Sequence, residues 1–209
     1  MQTYSKQVAV IDYDAGNIKS VVKALQYLGF KAFVTRKESE ILSSSHVILP
    51  GVGSFADAME HLVSYDLIDV IMKLRKEGNP FLGICLGLQI LFEDSEESPG
   101  VKGLSILKGH VKRLKDSEGL KVPDIGWNSC SLVNSGRLFS GIKDEPFFYF
   151  VHSYYLSMDD EEKVRAVMDY GGTRTHASIE DGNFFACQFH PEKSGDTGLK
   201  VLSNFLSQK

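Results

Sequence analysis

Gly83-Ile84-Cys85-Leu86-Gly87 has the clearest chemical content of any stretch in this chain. A cysteine stands between two glycines, after the short apolar run Pro80–Ile84 and before a helical pattern. A nucleophile offered to substrate projects from a sharp strand-to-helix turn, and small residues two before and two after make room for it. The first N–H groups of the following helix lower a thiol pKa and hold a developing oxyanion. Free cysteine is also a common small core hydrophobe. The glycines and the flanking elements favour Cys85 as a nucleophile instead. A thiol nucleophile needs a base, and the base needs an orienting group. Among six histidines, His190 fits best, in Phe189-His190-Pro191-Glu192-Lys193. Pro191 pushes His190 out of helical backbone and sets it at a strand end. Residues two apart on extended chain share a face, so Glu192 can hold one imidazole nitrogen and leave the other for the thiol. A second glycine turn, Pro50-Gly51-Val52-Gly53, would emerge at the same sheet edge. Its N–H groups at Val52 and Gly53, with that of Leu86, would make an oxyanion hole. His46, His61, His110 and His176 read as surface or strand-edge residues, and no Cys/His spacing suits a metal.

The elements that must carry these groups alternate. Gln7–Asp12, Phe30–Thr35, His46–Leu49 and Pro80–Ile84 read as strands. Between them Ile18, Val21, Val22, Leu25 and Leu28 fall at helical spacing, with Gly29 as a stop. Ser54 with Asp57 makes a capping-box-like start for a stripe of Phe55, Ala58, Met59, Leu62 and Val63. Asp66 starts another helix with Leu67, Val70, Ile71 and Leu74. This β-α-β-α rhythm predicts a parallel sheet with helices on both faces. From about Gly100 strands dominate: Gly109–Leu114, Trp127–Val133, Pro146–Val151, Val164–Tyr170 and Phe184–Phe189. A last helix carries Leu199, Leu202 and Phe205. Glu93–Glu97 and Asp159–Lys163 read as surface loops, and Cys130 and Cys187 as packed in strands. With no repeat and no long linker, the chain reads as one domain over residues 1–209.

Composition narrows the class. The 209 residues carry a formal charge of −4, without a basic block, which argues against nucleic acid. No apolar run approaches a membrane span. Val8-Ala9-Val10-Ile11 is too short for a signal-peptide core. Three cysteines are too few for a disulfide scaffold and suit the reducing cytoplasm.

Taken together, Gly83-Ile84-Cys85-Leu86-Gly87-Leu88-Gln89, Pro50-Gly51-Val52-Gly53 and Gln188-Phe189-His190-Pro191-Glu192-Lys193-Ser194 resemble the class I (triad) glutamine amidotransferases. Ile125-Gly126-Trp127-Asn128, Tyr149-Phe150-Val151-His152-Ser153-Tyr154 and Asp14-Ala15-Gly16-Asn17 are similar to the branch of that family serving histidine biosynthesis. The likeness runs from about Val8 to Phe205. It implies a flavodoxin-like α/β fold: an open mixed, mostly parallel sheet flanked by helices, with a strand-rich C-terminal half. It implies hydrolysis of L-glutamine through a glutamyl thioester on Cys85, with His190 and Glu192 completing the triad and no cofactor. Substrate would be held by Gly51, Gly53, Gln89, Glu97, His152, Ser153 and Tyr154. The family likeness also implies a heterodimer partner, a (β/α)₈-barrel synthase that receives the ammonia, faced by Asn17, Trp127, Tyr149 and Lys193. Motifs fill the chain and leave no segment to bind the ammonia acceptor. One position departs: Asp124 stands where the family usually has histidine, changing the charge expected near that interface. A paralogue feeding ammonia to a sugar-nucleotide amidotransferase is the alternative acceptor. A DJ-1-like or dienelactone-hydrolase-like cysteine enzyme would use the elbow without the His190-Pro191-Glu192 spacing. A non-enzymatic binding module would have no need of Cys85, His190 and Glu192.

Overall fold

The computed structural model describes residues 7–14, 16–116 and 120–209. The reading of the N-terminal segment before Gln7, and of Ala15 in the Asp14–Asn17 motif, lies outside the described residues. Strand β1 (Gln7–Ile11) buries Val8 to Ile11 completely, so both its faces are covered. Helix α1 (Ile18–Tyr27) packs Val21, Ala24 and Leu25 inward, and Gly29, at φ +84°, turns the chain into β2 (Lys31–Thr35). A short α2 (Glu38–Leu42) leads to β3 (His46–Gly51), buried along its whole length. The Ser54 hydroxyl accepts the Asp57 N–H at 3.2 Å and starts α3 (Phe55–Ser64), whose stripe of Phe55, Ala58, Met59 and Leu62 is buried. Helix α4 (Leu67–Glu77) follows; Asp66 precedes it in left-handed backbone without a side-chain cap. Strand β4 (Phe81–Cys85) then delivers the cysteine to α5 (Leu86–Gln89).

The second half contains β5 (Asp94–Ser95), β6 (His110–Arg113), β7 (Asp124–Ser129), β8 (Ser131–Leu132), β9 (Phe147–His152), β10 (Tyr154–Ser157), β11 (Val164–Tyr170), β12 (Thr173–Asp181) and β13 (Phe184–Cys187), before α6 (Gly195–Leu206). The main sheet has eight strands in the order β2-β1-β3-β4-β13-β12-β11-β8. Its first five are mutually parallel and follow the 2-1-3-4-5 order of flavodoxin-like folds, with β13 in fifth place. The last three are antiparallel. Alternate strand residues feed two cores. Ala9, Ile11 and Leu49 join α3 and α4 on one face, while Val8, Val10, Ile48 and Leu82 join α1 and α6 on the other. Among the described residues no helix is long and apolar enough to cross a membrane.

Several expectations change. The Trp127–Val133 run is not one strand: it breaks at Cys130, so that β7 pairs with β9 and β8 edges the main sheet. Two further strands lie outside the expected ones: β10 is only four residues long, and in β12 polar residues such as Arg174, His176 and Ser178 interrupt the apolar pattern. Glu93–Glu97 is not a plain surface loop, since β5 lies within it and Ser95 is buried. His46 and His176 are buried rather than superficial. His46 packs edge-on against Phe205 with ring centres 5.2 Å apart. His176 accepts the Met158 N–H on Nδ1 at 3.2 Å and meets Glu161 with Nε2 at 3.1 Å. His176 is thus a satisfied interior group, which is how a histidine tolerates burial, and His46 Nδ1 meets the Ser45 hydroxyl at 3.2 Å.

Candidate active site

Register brings the motif residues together. Gly51 at the end of β3 pairs with Cys85 at the end of β4, and Cys187 of β13 pairs with Ile84. The glycine turn, the cysteine and the segment leading to His190 therefore leave three adjacent parallel strands at one carboxyl edge. That edge is the usual place for function in open α/β sheets. Cys85 sits at φ 55°, ψ −108°, backbone that a residue with a side chain rarely adopts. Such strain persists only where the surroundings impose it. A Cβ on Gly83 would press into the Gly87 carbonyl, and one on Gly87 into the Leu49 carbonyl. The two elbow glycines are required by contact, as their spacing predicts. The helix after the elbow is a single turn, so the positive end it presents is carried by its first N–H groups rather than by a long dipole.

His190 Nδ1 lies 2.9 Å from Glu192 Oε1, with both side chains almost wholly buried. The carboxylate only accepts, so Nδ1 carries the proton and Nε2 is left towards the thiol. Nε2 is buried and makes no hydrogen bond of its own. Burial opposes charge on the imidazole, but Cys85 and Glu192 outweigh it and push the His190 pKa up to about 9. The His190 N–H donates to the Tyr149 carbonyl at 2.9 Å, so β9 fixes the backbone beneath the ring. Asn17, at the end of the loop after β1, reaches the same carboxylate: its Nδ2 donates to Glu192 Oε1 at 3.2 Å.

Beside Cys85 opens a cavity of about 270 Å³, lined by Val52, Gly53, Leu86, Gln89, Glu97, Pro123, Val151, His152, Ser153 and Tyr154. Nearly every residue expected to hold substrate or an oxyanion lines it. Gly51 lies one residue behind, where a Cβ would collide with the buried Tyr13 hydroxyl and Leu86. Gln89 is no ordinary exposed helix residue. It is buried, and its Nε2 donates to the Tyr154 carbonyl at 2.9 Å and to Gln188 Oε1 at 3.0 Å. Glu97 Oε2 accepts the Phe55 N–H at 2.7 Å, so this carboxylate also closes the first turn of α3. His152 donates from Nδ1 to the Tyr154 carbonyl at 2.9 Å. Burial pushes its pKa down to about 4, the Tyr154 bond opposes this, and His190 adds to it, so the ring is neutral.

Gln188, which the sequence marks only as part of a motif, touches the thiol. Its Nε2 donates to Cys85 Sγ at 3.6 Å, while Gln89 fixes its amide from the other end. The readable signal is register: the residue after β13 must stand beside the residue that ends β4.

The four residues expected at a partner interface gather around the turn that carries Glu192. Trp127 is 53 % exposed and stacks edge-on against Tyr149, and Lys193 Nζ lies 5.7 Å above the Tyr149 ring. Ile125 and Phe147 are exposed on the same ribbon, whose other side buries Phe148 and Phe150. Trp127 is thus not core. Asp124 is the reverse: it is buried, accepts Asn128 Nδ2 at 2.9 Å and lies 3.7 Å from His152 Nε2. Its charge is directed inward at the cavity wall and does not alter the exposed face. Burial pushes its pKa up, against the Asn128 bond.

An elbow cysteine, a His–Glu pair and a glycine turn at one carboxyl edge define a class of enzyme. The chain matches the family model for glutamine amidotransferase class-I over residues 9–209, and it belongs to that family. At 23 % identity and a TM-score of 0.75, it shares its fold with PurLQS from Thermotoga maritima, over 96 % of this chain and 97 % of that one. Within the family it belongs with the proteins named imidazole glycerol phosphate synthase subunit HisH. It is 48 % identical to that of Methanocaldococcus jannaschii, over 95 % of this chain and 98 % of the relative. It is 50 % identical to that of Moorella thermoacetica, over 96 % and 94 %.

Proposed function

We propose that this chain is the glutaminase half of imidazole glycerol phosphate synthase, hydrolysing L-glutamine and passing ammonia to a HisF-type (β/α)₈-barrel synthase subunit in histidine biosynthesis. The observation that carries the reading is the His190–Glu192 pair at 2.9 Å beside a strained Cys85, opening on one small cavity. The Cys85 thiolate attacks the carboxamide carbon, and the carbonyl electron pair moves to oxygen. The N–H groups of the Val52–Gly53 turn and of Leu86 receive that charge. Collapse breaks the C–N bond, His190 gives its proton to the leaving nitrogen, and ammonia departs from a glutamyl thioester. Water then loses a proton to His190 and attacks the thioester. The C–S bond breaks, and glutamate leaves a regenerated thiolate. Glu192 keeps the Nδ1 proton in place throughout.

Both Nε2 protons of Gln89 are already used, so Gln89 offers substrate only Oε1, an acceptor suited to its ammonium beside Glu97. The backbone of Ser153 and Tyr154 lines the same cavity and would take the substrate carboxylate. The exposed face of Ile125, Trp127, Phe147, Tyr149 and Lys193 suits a docked protein. Three free cysteines suit the cytoplasm.

The test is glutamine turnover by the chain alone and with its barrel subunit plus the acceptor nucleotide. Stimulation by the partner, and loss of turnover in Cys85→Ala, are expected. Turnover near parental in Cys85→Ala would refute the nucleophile. Full activity without a partner would refute the subunit role, and amination of a sugar nucleotide by the barrel in place of the imidazole precursor would refute the pathway.

A further inference from the structure

Asn17 occupies the N-cap of α1, yet its side chain makes no capping hydrogen bond. Asparagine is among the strongest N-caps because its side-chain oxygen takes an N–H of the first turn. Here that oxygen accepts the Ser20 hydroxyl at 2.7 Å instead, and Nδ2 donates to Glu192 Oε1 at 3.2 Å. The assignment of the amide follows from chemistry. A carboxylate offers no proton, so the NH₂ group must face Glu192, and the oxygen is left for Ser20. The same Oε1 takes the His190 contact at 2.9 Å, while Oε2 is buried without a partner. The carboxyl is therefore held by two bonds at one oxygen, from His190 on one side and from Asn17 on the other. A side chain that gives up a local role for a distant one marks a functional constraint.

We propose that Asn17 is a positioning residue for glutamine hydrolysis: it holds Glu192 against His190 and so ties the loop after β1 to the triad. The inference rests on the glutaminase reading above. Without Asn17 the buried carboxyl has a single anchor, and the imidazole loses the partner that keeps its Nε2 aimed at Cys85. The same turn carries Lys193, and beside it stand Tyr149 and Trp127. A protein docked on this face that shifts the loop alters the triad through one hydrogen bond.

Asn17→Ala, Asn17→Gln and Asn17→Asp are to be assayed with saturating barrel subunit and acceptor nucleotide. Asn17→Ala should lose about 10–100-fold in kcat, the worth of one hydrogen bond to a charged group. KM for glutamine should stay within about twofold, because uniform substrate binding is untouched. The melting temperature should fall by no more than about 10 °C, the worth of one hydrogen bond to a charged group, and the chain stays folded at the assay temperature. Asn17→Gln, which keeps the amide, should recover part of the loss. Asn17→Asp offers no amide donor and sets a second carboxyl beside Glu192, where the two must share a proton, so kcat should fall at least as far as in Asn17→Ala. Parental kcat in Asn17→Ala would overturn the inference, as would parental kcat in Asn17→Asp, or a loss in Asn17→Ala that Asn17→Gln does not recover in any part. An inactive parent chain would instead sink the glutaminase reading, whereas an active parent with indifferent Asn17 variants would sink only the Asn17 link.

Discussion

At the scale of the residue, the site is a chain of oriented groups rather than three isolated ones. Gln89 fixes the Gln188 amide, Gln188 donates to Cys85, and Asn17 holds the Glu192 that holds His190. Removing the base should be costly: His190→Ala is expected to lose at least about 10²–10⁴-fold in kcat, the usual worth of general acid–base catalysis. Gln188→Ala should lower kcat with little change in KM, since it removes a donor to the sulfur and no contact in the substrate cavity. Parental kcat in that variant would show the 3.6 Å contact to be incidental. The raised pKa of His190 also has a consequence for stability. Its folded value of about 9 lies above the ordinary 6.5, so its contribution is complete below about pH 6.5 and is lost as pH rises through about 9. Cys85 is one source of that elevation. In Cys85→Ala the imidazole should titrate at lower pH, read by NMR, and the alkaline decline in urea stability should flatten.

At the scale of the element, the strand-to-helix turn does the positioning. Its geometry needs Gly83 and Gly87 for different contacts, one against the other glycine's carbonyl and one against Leu49 on the neighbouring strand. Gly87→Ala forces a methyl into that backbone and should destabilise the fold by about 1–3 kcal/mol, as overpacking does. At about 2–4 °C per kcal/mol for a chain of this length, calorimetry resolves the change. Gly53 makes the contrast. It sits at φ +110° with nothing within 4 Å of a Cβ, so alanine there meets strain but no collision. Gly53→Ala should fold nearly as the parent does and lose turnover, because the loop relaxes and turns its N–H groups away from the cavity. Equal activity in Gly53→Ala would remove this loop from the oxyanion site.

At the scale of the whole molecule, the buried cluster of Cys85, His190 and Glu192 lies just under an exposed apolar face. The ribbon of β7 and β9 separates them: Asp124, Phe148 and Phe150 point inward, while Ile125, Trp127 and Phe147 point outward. Trp127 is the one tryptophan of the 209 residues. Its emission should shift to shorter wavelength on the proposed docking of a barrel subunit over this face, and titration of that shift should give the binding curve. Emission unmoved under saturating partner would place the interface elsewhere.

Much of this was legible in the chain itself. The parallel strands of the first half are continuous apolar runs because both their faces are covered. The helices between them show clean stripes, and the elbow, the His-Pro-Glu segment and the glycine turn are local patterns whose spacing reflects local backbone geometry. What escaped was non-local. Strand β12 carries polar residues that find partners only across the fold. Asp124 and Trp127, three positions apart on one extended strand, face opposite environments that depend on how β7 pairs with β9 and packs on the rest of the fold. The sequence by itself determined which groups could do chemistry and which elements could carry them. The tertiary structure decided which of them meet. Gln188 reaches the thiol and Asn17 the carboxylate because parallel pairing aligns the ends of strands far apart in the chain, and contacts across such separations leave no periodic trace along it.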